Sequence, residues 1–186
     1  MLVGSIKEDL LSEKRVSLTP ETAKNIIGLG LKVCIEKEYA THLGLKDQDY
    51  QKAGVEIKDS SIEVLNASNL IIKVNCPSEN EINILKKNTI LIGMLNPLKN
   101  KNQIDKIINK NIKLFSLELL PRITRAQSMD VLSSQSNLAG YRAVIECVTE
   151  FEKAVPMMMT AAGTVPAAKV LVIGAGVAGL QAIATA

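Results

Sequence analysis

The sequence predicts an α/β protein built on a parallel sheet, and three observations support that fold class. Short runs rich in β-branched residues alternate with helical patterns along residues 1–117, which is the interval of strand–helix–strand units. Residues 122–151 instead carry a long helical pattern and no strand. A last β-branched run, VLVI at 170–173, leads directly into a glycine-rich turn and another helical pattern.

Each strand and helix is predicted in chain order from its residue pattern. β-Branched runs predict strands at Leu2–Ile6, Lys32–Glu36, Leu70–Val74, Thr89–Met94, Ile112–Leu117 and Val170–Ile173. Isoleucine, leucine and alanine at helical spacing predict helices at Thr19–Leu29, Ser60–Ala67, Glu79–Leu85 and Gln103–Asn109. The first helix has a well-marked start, because Thr19 can cap it and Pro20 suits its first turn.

The stretch that follows the predicted sheet divides the chain. Residues 122–151 predict a long connecting helix, bent or broken near Ser133–Ser136. The segment VPMMMTAAGTVP at 155–166 contains two prolines and a glycine, which predicts a linker or a hairpin. We therefore expect an N-terminal α/β domain at 1–125, a connecting helix and linker at 126–164, and the first strand–helix unit of a second, truncated domain at 165–186.

Composition and charge argue against several classes of function. The 186 residues are 47% hydrophobic and 22% charged, which is typical of a globular protein. A net charge of +3 and 3% aromatic residues argue against a nucleic-acid partner. Three well-separated cysteines without a CxxC pair, and no signal-peptide pattern, indicate reduced thiols and a cytoplasmic chain. The apolar run 170–186 is short and contains three glycines, so we expect no membrane insertion from it.

The glycine-rich turn predicts a phosphate-binding site. Gly174, Gly176 and Gly179 form a GxGxxG pattern directly after a predicted strand and at the start of a predicted helix. Such glycines allow a tight turn, a close approach of backbone to pyrophosphate, and close packing of helix on strand. The alternative is a small-residue turn without a ligand. An acidic residue that recognises ribose would follow about 20 positions later, outside this sequence, so the motif does not distinguish NAD from NADP.

A second polar cluster follows the strand predicted at Ile112–Leu117. It contains Arg122, Arg125, Gln127 and Asp130, and serines from Ser133 onward. Amides and hydroxyls can bind a carboxamide, and arginine can bind carboxylate or phosphate through two hydrogen bonds. The alternative is a helix cap with a solvated face.

Two further cations follow strands of the predicted sheet. Arg15 comes after the first strand, and Lys73 lies at the end of the strand predicted at Leu70–Val74. Both can converge on one anion in a crevice at the carboxyl ends of the strands. The alternative is that each is a surface cation near a strand end.

Four segments resemble one known family. They are EKRVSLTPE, LIIKVNCP, LPRITRAQSMDVLSSQSNLAGYRAV and KVLVIGAGVAGLQAIATA, in the same order along the chain. Together they resemble the alpha subunit of proton-translocating NAD(P) transhydrogenase, of which alanine dehydrogenase is a close relative. The resemblance implies a flavodoxin- or Rossmann-like N-terminal domain, a long connecting helix and the start of a Rossmann domain, with NAD in the cleft between the domains.

The resemblance also implies roles for particular residues. Gln127 and Asp130 are assigned to the reacting end of the cofactor, where Arg122 and Gln127 would contact nicotinamide, ribose or phosphate. Asp130 and Ser133 would order this loop and the carboxamide, and no metal is implied. The cofactor-binding set is Arg122, Ile123, Thr124, Gln127, Asp130, Ser133, Gly174, Gly176, Val177 and Gly179, with Gly179 as the packing glycine.

The implied reaction is hydride transfer from NADH to NADP⁺, coupled to proton translocation across a membrane. NADP would be bound by the partner subunit. The implied partners are the transhydrogenase beta subunit, a membrane domain and a second copy in a homodimer. The chain would then be cytoplasmic and peripheral to the inner membrane through those subunits.

Two other functions stay open on the sequence alone. The first is an alanine dehydrogenase-like, NAD-dependent oxidoreductase, in which Arg15 and Lys73 would match residues that bind pyruvate. That family also uses a histidine after the strand matching Thr89–Met94, whereas this chain has Gly-Met-Leu-Asn-Pro there and its one histidine is His42. The second is an inactive truncated fragment that serves at most in association.

Overall fold

The computed structural model describes all residues from Met1 to Ala186, and they divide into two compact units. The first comprises residues 1–120 and the second residues 121–186. No helix in either unit combines the length and the apolar character that spanning a lipid bilayer requires.

The first unit is a six-stranded sheet in which every pair of neighbouring strands is parallel. The order across the sheet is β3-β2-β1-β4-β5-β6, which is the doubly wound order of Rossmann folds. The strand order reverses between β1 and β4, and ligands of such sheets bind at the carboxyl ends of strands there. The predicted fold class is confirmed. The strands are β1 Leu2–Ser5, β2 Lys32–Glu36, β3 Glu56–Lys58, β4 Leu70–Ile72, β5 Ile90–Gly93 and β6 Lys113–Ser116.

Helices connect these strands. Those predicted from apolar spacing are present with small changes at their ends, and α1 begins with the predicted cap, since Thr19 and Thr22 bond each other's backbone N–H groups. The helix α2 and the strand β3 were missed, because DQDYQK places only Tyr50 in the core. The helices are α1 Pro20–Gly28, α2 Asp47–Lys52, α3 Ser61–Ala67, α4 Glu79–Ile84 and α5 Lys101–Asn109, with short 3-10 helices at Thr41–Leu43 and Leu117–Leu119.

The core of the first unit consists of two apolar clusters on opposite faces of the sheet. Along β2, Val33 and Ile35 belong to one cluster, and Cys34 between them belongs to the other. This alternation is what a strand covered on both faces by helices requires. The cluster that contains Cys34 also includes Ile71 of β4 and Leu91 of β5.

The second unit is formed mainly by two helices that pack together. These are α6 Val131–Phe151 and α7 Val177–Thr185, and a two-stranded antiparallel hairpin of β7 Met158–Thr160 and β8 Gly163–Val165 lies between them in the chain. The hairpin confirms one of the two predictions for that segment. The domain limits proposed from the sequence stay a prediction.

Helix α6 is continuous where a break was predicted. The serines at Ser133–Ser136 stay helical, because the first of them bond to Asp130 rather than competing for the helix interior. The predicted break at the serine run was therefore wrong, and the predicted bend there stays a prediction.

The strand predicted at Val170–Ile173 does not form. The segment has no hydrogen-bonded neighbouring strand, and Leu171 and Ile173 are 85% and 92% exposed. A strand exists only as part of a ladder of backbone hydrogen bonds, so β-branched composition alone was insufficient. The helix predicted after it is present as α7.

Candidate functional site

The glycine turn of the second unit has the backbone geometry that a close anion contact needs. Gly174 has a φ of +107°, a conformation that side chains with a Cβ rarely adopt. Gly176 is the N-cap of α7, and a Cβ built on it would meet no atom within 4 Å. The space above the turn is therefore open to a ligand.

Gly179 has a different role in the same turn. A Cβ at this position would lie 2.0 Å from the carbonyl oxygen of Gly174, which is far inside any possible contact. The first turn of α7 thus closes tightly over the segment that precedes it. This geometry agrees with the packing role that the sequence pattern predicts for Gly179.

The start of α7 suits a negatively charged group. No side chain caps this helix, and its first turn contains no acidic residue. The first N–H groups of a helix lack partners within the helix, and the helix dipole is positive at this end. A phosphate group therefore fits the turn chemically.

The arginine–glutamine loop forms a short 3-10 helix, Thr124–Met129. Ala126 is buried and anchors this helix, whereas Arg122, Thr124 and Gln127 are exposed. Ile123, which precedes the helix, is also exposed. The predicted contact residues of this loop are thus accessible on its surface.

Asp130 joins this loop to α6. Its Oδ1 accepts the backbone N–H of Ser133 at 3.0 Å, and its Oδ2 accepts the Ser133 hydroxyl at 2.6 Å. The hydrogen bonds from Ser133 lower the pKa of Asp130, with a smaller contribution from the charge of Arg122. An ionised carboxylate with both oxygens engaged acts as a helix cap, and it is poorly suited to proton transfer at neutral pH.

This arrangement predicts how the start of α6 responds to mutation and pH. We expect Asp130→Ala to speed hydrogen exchange of the Ser133 amide, because that N–H loses its acceptor. Asp130→Asn, which keeps a side-chain oxygen, should change the exchange much less. The pKa of Asp130 is lower in the folded state than in the unfolded state. Its stabilisation of the folded helix start is therefore present at pH values above the unfolded-state pKa, and it is lost as the pH falls through the folded-state pKa. Exchange measured by NMR that is equal in Asp130→Ala and the unmodified protein would contradict this role.

In the first unit, Lys73 is paired with two of the chain's own carboxylates. Its side chain is 4% exposed at the carboxyl end of β4, and its ammonium lies 3.6 Å from Glu8 and 2.9 Å from Glu81. Glu8 also accepts the N–H of Val74 at 2.7 Å. Burial raises the pKa of Glu8, and the charge of Lys73 opposes that rise.

Arg15 is paired in a similar way. Its guanidinium bonds both carboxylate oxygens of Glu13, at 2.9 Å and 2.7 Å. These hydrogen bonds raise the pKa of Arg15, and the charge of Glu8 adds to the effect. Each of the two cations thus pairs with carboxylates of the chain itself, Arg15 with Glu13 and Lys73 with Glu8 and Glu81. Their convergence on one bound anion stays a prediction. Glu8 and Glu81 were missed at the sequence level, because their pairing with Lys73 depends on how the elements pack. The pairing of Arg15 with Glu13, two residues earlier, was not predicted either.

His42 is a surface residue, in agreement with the sequence interpretation. Its Nε2 lies 2.7 Å from the carbonyl oxygen of Lys14, so it holds the loop that follows β1. It follows β2 in the chain, whereas the alanine dehydrogenase hypothesis needs a histidine after β5.

Comparisons with known proteins agree on one family. The model of the family "Alanine dehydrogenase/PNT, N-terminal domain" matches residues 4–139. The model "Alanine dehydrogenase/PNT, C-terminal domain" matches residues 143–186. Together the two matches extend over almost the whole chain.

Individual relatives differ in their similarity. An NAD(P) transhydrogenase alpha-subunit protein from Rickettsia prowazekii is 44% identical over all of this chain and 50% of its own length. An alanine dehydrogenase from Methanococcus maripaludis is 29% identical over 98% of this chain and 49% of its own. The crystal structure of transhydrogenase from Sinorhizobium meliloti superposes with a TM-score of 0.93 at 45% identity, over 100% of this chain and 55% of that one.

The chain spans about half the length of the curated relatives it matches. The similarity nevertheless includes the parallel sheet, the helix α6 and the glycine turn, because the two family models match residues in both units. The chain belongs to the alanine dehydrogenase/PNT family.

Proposed function

We propose that this chain forms the first half of the NAD(H)-binding component of an NAD(P) transhydrogenase. The observation that carries the proposal is the glycine turn, in which Gly176 is open to a ligand and α7 begins without a side-chain cap. Sequence identity favours the transhydrogenase branch, since the transhydrogenase relative is 44% identical and the alanine dehydrogenase 29%.

In this proposal the glycine turn holds the pyrophosphate of NAD. Backbone N–H groups of Gly176 and Val177 would bind its oxygens, the positive φ of Gly174 shapes the turn, and Gly179 keeps the first helical turn close. Such a site discriminates little between nucleotides, because it reads only phosphate. The choice of NAD for this chain and NADP for the partner subunit is part of the proposal.

The loop before α6 would orient the nicotinamide end. Gln127 and Arg122 are exposed there and would bind the carboxamide, ribose or phosphate, with Ile123 and Thr124 beside them. Asp130 and Ser133 would hold the loop through the helix cap. The nicotinamide ring supplies the hydride chemistry when bound, so this chain's residues are needed for orientation.

The proposed assembly extends beyond this chain. Hydride transfer between NADH and NADP⁺ coupled to proton translocation needs a beta subunit and a membrane domain. We propose that the chain acts as a homodimer on the cytoplasmic side of the inner membrane, attached through those subunits. The 44% identical relative is named as a subunit, which supports a multi-subunit assembly.

An alanine dehydrogenase-like activity is the weaker candidate. Lys73 and Arg15 would have to bind a substrate carboxylate, but Glu8, Glu81 and Glu13 already pair with them. Oxidation of NADH that depends on both pyruvate and ammonium, measured on a protein that includes this chain, would favour it.

The proposed role of Gln127 gives a direct test. In a fusion of this chain with the second half of the Rickettsia prowazekii relative, assayed together with a transhydrogenase beta subunit that binds the acceptor NADP⁺, we expect Gln127→Asn to slow hydride transfer from NADH to NADP⁺ at least tenfold. NADH affinity, measured by calorimetry, should change less than threefold, because shortening the amide side chain misorients the ring more than it weakens binding. Gln51→Asn, at an exposed glutamine of α2, is the matched control. An unchanged transfer rate in Gln127→Asn, or no NADH binding by the fusion itself, would overturn the assignment.

A further inference from the structure

The middle of α6 contacts the first turn of α7 through backbone atoms. Gly140, the tenth residue of α6, is buried. A Cβ built on it would lie 2.1 Å from the carbonyl oxygen of Ala178 and 2.9 Å from the Ala178 carbonyl carbon and Cα. Ala178 is the second residue of α7. No side chain lies between the two helices at this point, so glycine alone permits the approach.

The first turn of α7 is therefore held from two sides. Gly140 of α6 packs on Ala178, and Gly179 packs on the carbonyl oxygen of Gly174. Both contacts are to backbone atoms, which cannot move aside as a flexible side chain can. The N–H groups of Val177 and Ala178 belong to this turn. The Leu180 N–H closes the turn by donating to the Gly176 carbonyl oxygen at 2.9 Å.

We propose that Gly140 is a positioning residue for the phosphate-binding turn. It sets the distance of the first α7 turn from α6, and therefore the direction of the N–H groups offered to an anion. Asp130, the N-cap of the same helix, lies ten residues before Gly140, which is about 15 Å along the axis at roughly 1.5 Å per residue. Gly140 thus fixes the turn relative to the helix that also ends the Arg122–Asp130 loop. That the bound anion is a nucleotide phosphate rests on the proposed function, whereas the contact of Gly140 with Ala178 does not depend on it.

A single methyl group at this position is expected to displace the turn. Contacts of a Cβ below 3.0 Å essentially never occur, so the 2.1 Å contact forces a shift of roughly an ångström. Misplacement by about 1 Å is enough to cost large factors in binding or rate where several groups must act together. In an open helix the same substitution would be favourable, because alanine has the higher helix propensity.

The test compares Gly140→Ala with Gly28→Ala, both in the full chain. Gly28 is in α1, and a Cβ on it would meet nothing within 4 Å. Without any ligand, we expect Gly140→Ala to speed hydrogen exchange of the Leu180 amide at least tenfold and to move the amide resonances of residues 177–180. Gly28→Ala should leave these signals unchanged, and amides of β1 and β4 report that the first unit stays folded. Unchanged exchange and resonances at 177–180 in Gly140→Ala would overturn the proposal.

Titration with inorganic pyrophosphate and with NADH separates positioning from mere packing, and it uses the two glycine variants in the fusion with the second half of the Rickettsia prowazekii relative. We expect Gly140→Ala to lower the affinity for both ligands at least tenfold, measured at a temperature where each variant is fully folded. A loss of stability alone would not lower the affinity of a fully folded protein. Equal affinity in the two glycine variants would overturn the positioning role. If the fusion without substitution binds neither ligand while the Leu180 amide responds as expected, the proposed nucleotide function fails and the Gly140 contact stands.

Discussion

Replacing Lys73 by methionine is expected to lower the free energy of unfolding by about 3–5 kcal/mol at neutral pH. The side chains of Lys73 and Glu8 are 4% and 5% exposed, so the substitution would leave a buried carboxylate without its cation. Glu8 cannot avoid this cost by staying protonated. A carboxyl with an ordinary pKa of 4.5 needs about 3 kcal/mol to remain neutral near pH 7.

Two further variants separate the buried charge from the loss of lysine as such. The double variant Lys73→Met with Glu8→Gln removes the unpaired carboxylate, so we expect it to recover a large part of the lost stability in urea unfolding. Lys24→Met, at an exposed position of α1, should change stability by less than about 0.5 kcal/mol. A double variant as unstable as Lys73→Met would show that the ion pair is not the cause.

The effect of Lys73→Met should also depend on pH. Burial raises the folded-state pKa of Glu8 above its unfolded value, so its protonated form favours folding. That contribution is fully present below the unfolded pKa and is lost as pH rises through the folded pKa. Loss of Lys73 raises the folded pKa further. We therefore expect the deficit of the variant to be smallest near about pH 4 and to grow toward neutral pH.

Most of the fold was predictable from residue patterns. Buried parallel strands such as Leu70–Ile72 and Ile90–Gly93 are short apolar runs, and a cap such as Thr19 marks where a helix begins. The strand β3 and the helix α2 were missed because their sequences are polar. The segment at 170–173 was predicted as a strand on composition, but strand formation depends on a neighbour that composition does not reveal.

The candidate site was predictable only where it is local in sequence. The glycine turn lies within six residues, so the pattern itself implied its conformation at Gly174 and its packing at Gly179. The contact of Gly140 with Ala178 and the bond from Val74 to Glu8 join residues far apart in the chain. Such pairings follow from how the elements pack, and no spacing rule in a single sequence identifies them.

Tyr39 forms hydrogen bonds with segments that meet near the point where the strand order reverses. Its hydroxyl accepts the N–H groups of Ser17 and Leu18, at 3.1 Å and 3.3 Å, and lies 2.8 Å from the hydroxyl of Ser5. The hydroxyls of Ser5 and Ser17 both reach the carbonyl oxygen of Ile72. One phenol therefore connects β1, the segment leading into α1, and the end of β4.

Removing that hydroxyl is expected to be costly. We expect Tyr39→Phe to lower the free energy of unfolding by about 1–3 kcal/mol, because the buried Leu18 N–H and two serine hydroxyls lose a partner while the ring stays in place. In the same urea unfolding series Tyr50→Phe, which removes one bond to the Leu18 carbonyl oxygen, should cost about 1 kcal/mol. Exposed Tyr141→Phe should cost nothing measurable.

The position of Tyr39 gives the substitution a second, local effect. With the Tyr39 hydroxyl removed, the N–H groups of Ser17 and Leu18 lose their acceptor, so the amides of this segment should exchange faster than those of β2 and β5. A uniform increase across the first unit would instead indicate global destabilisation alone. If Tyr39→Phe left both the free energy of unfolding and the exchange of Leu18 unchanged, the network would not hold the crevice between β1 and β4, and the loop carrying Arg15 would depend on its pairing with Glu13.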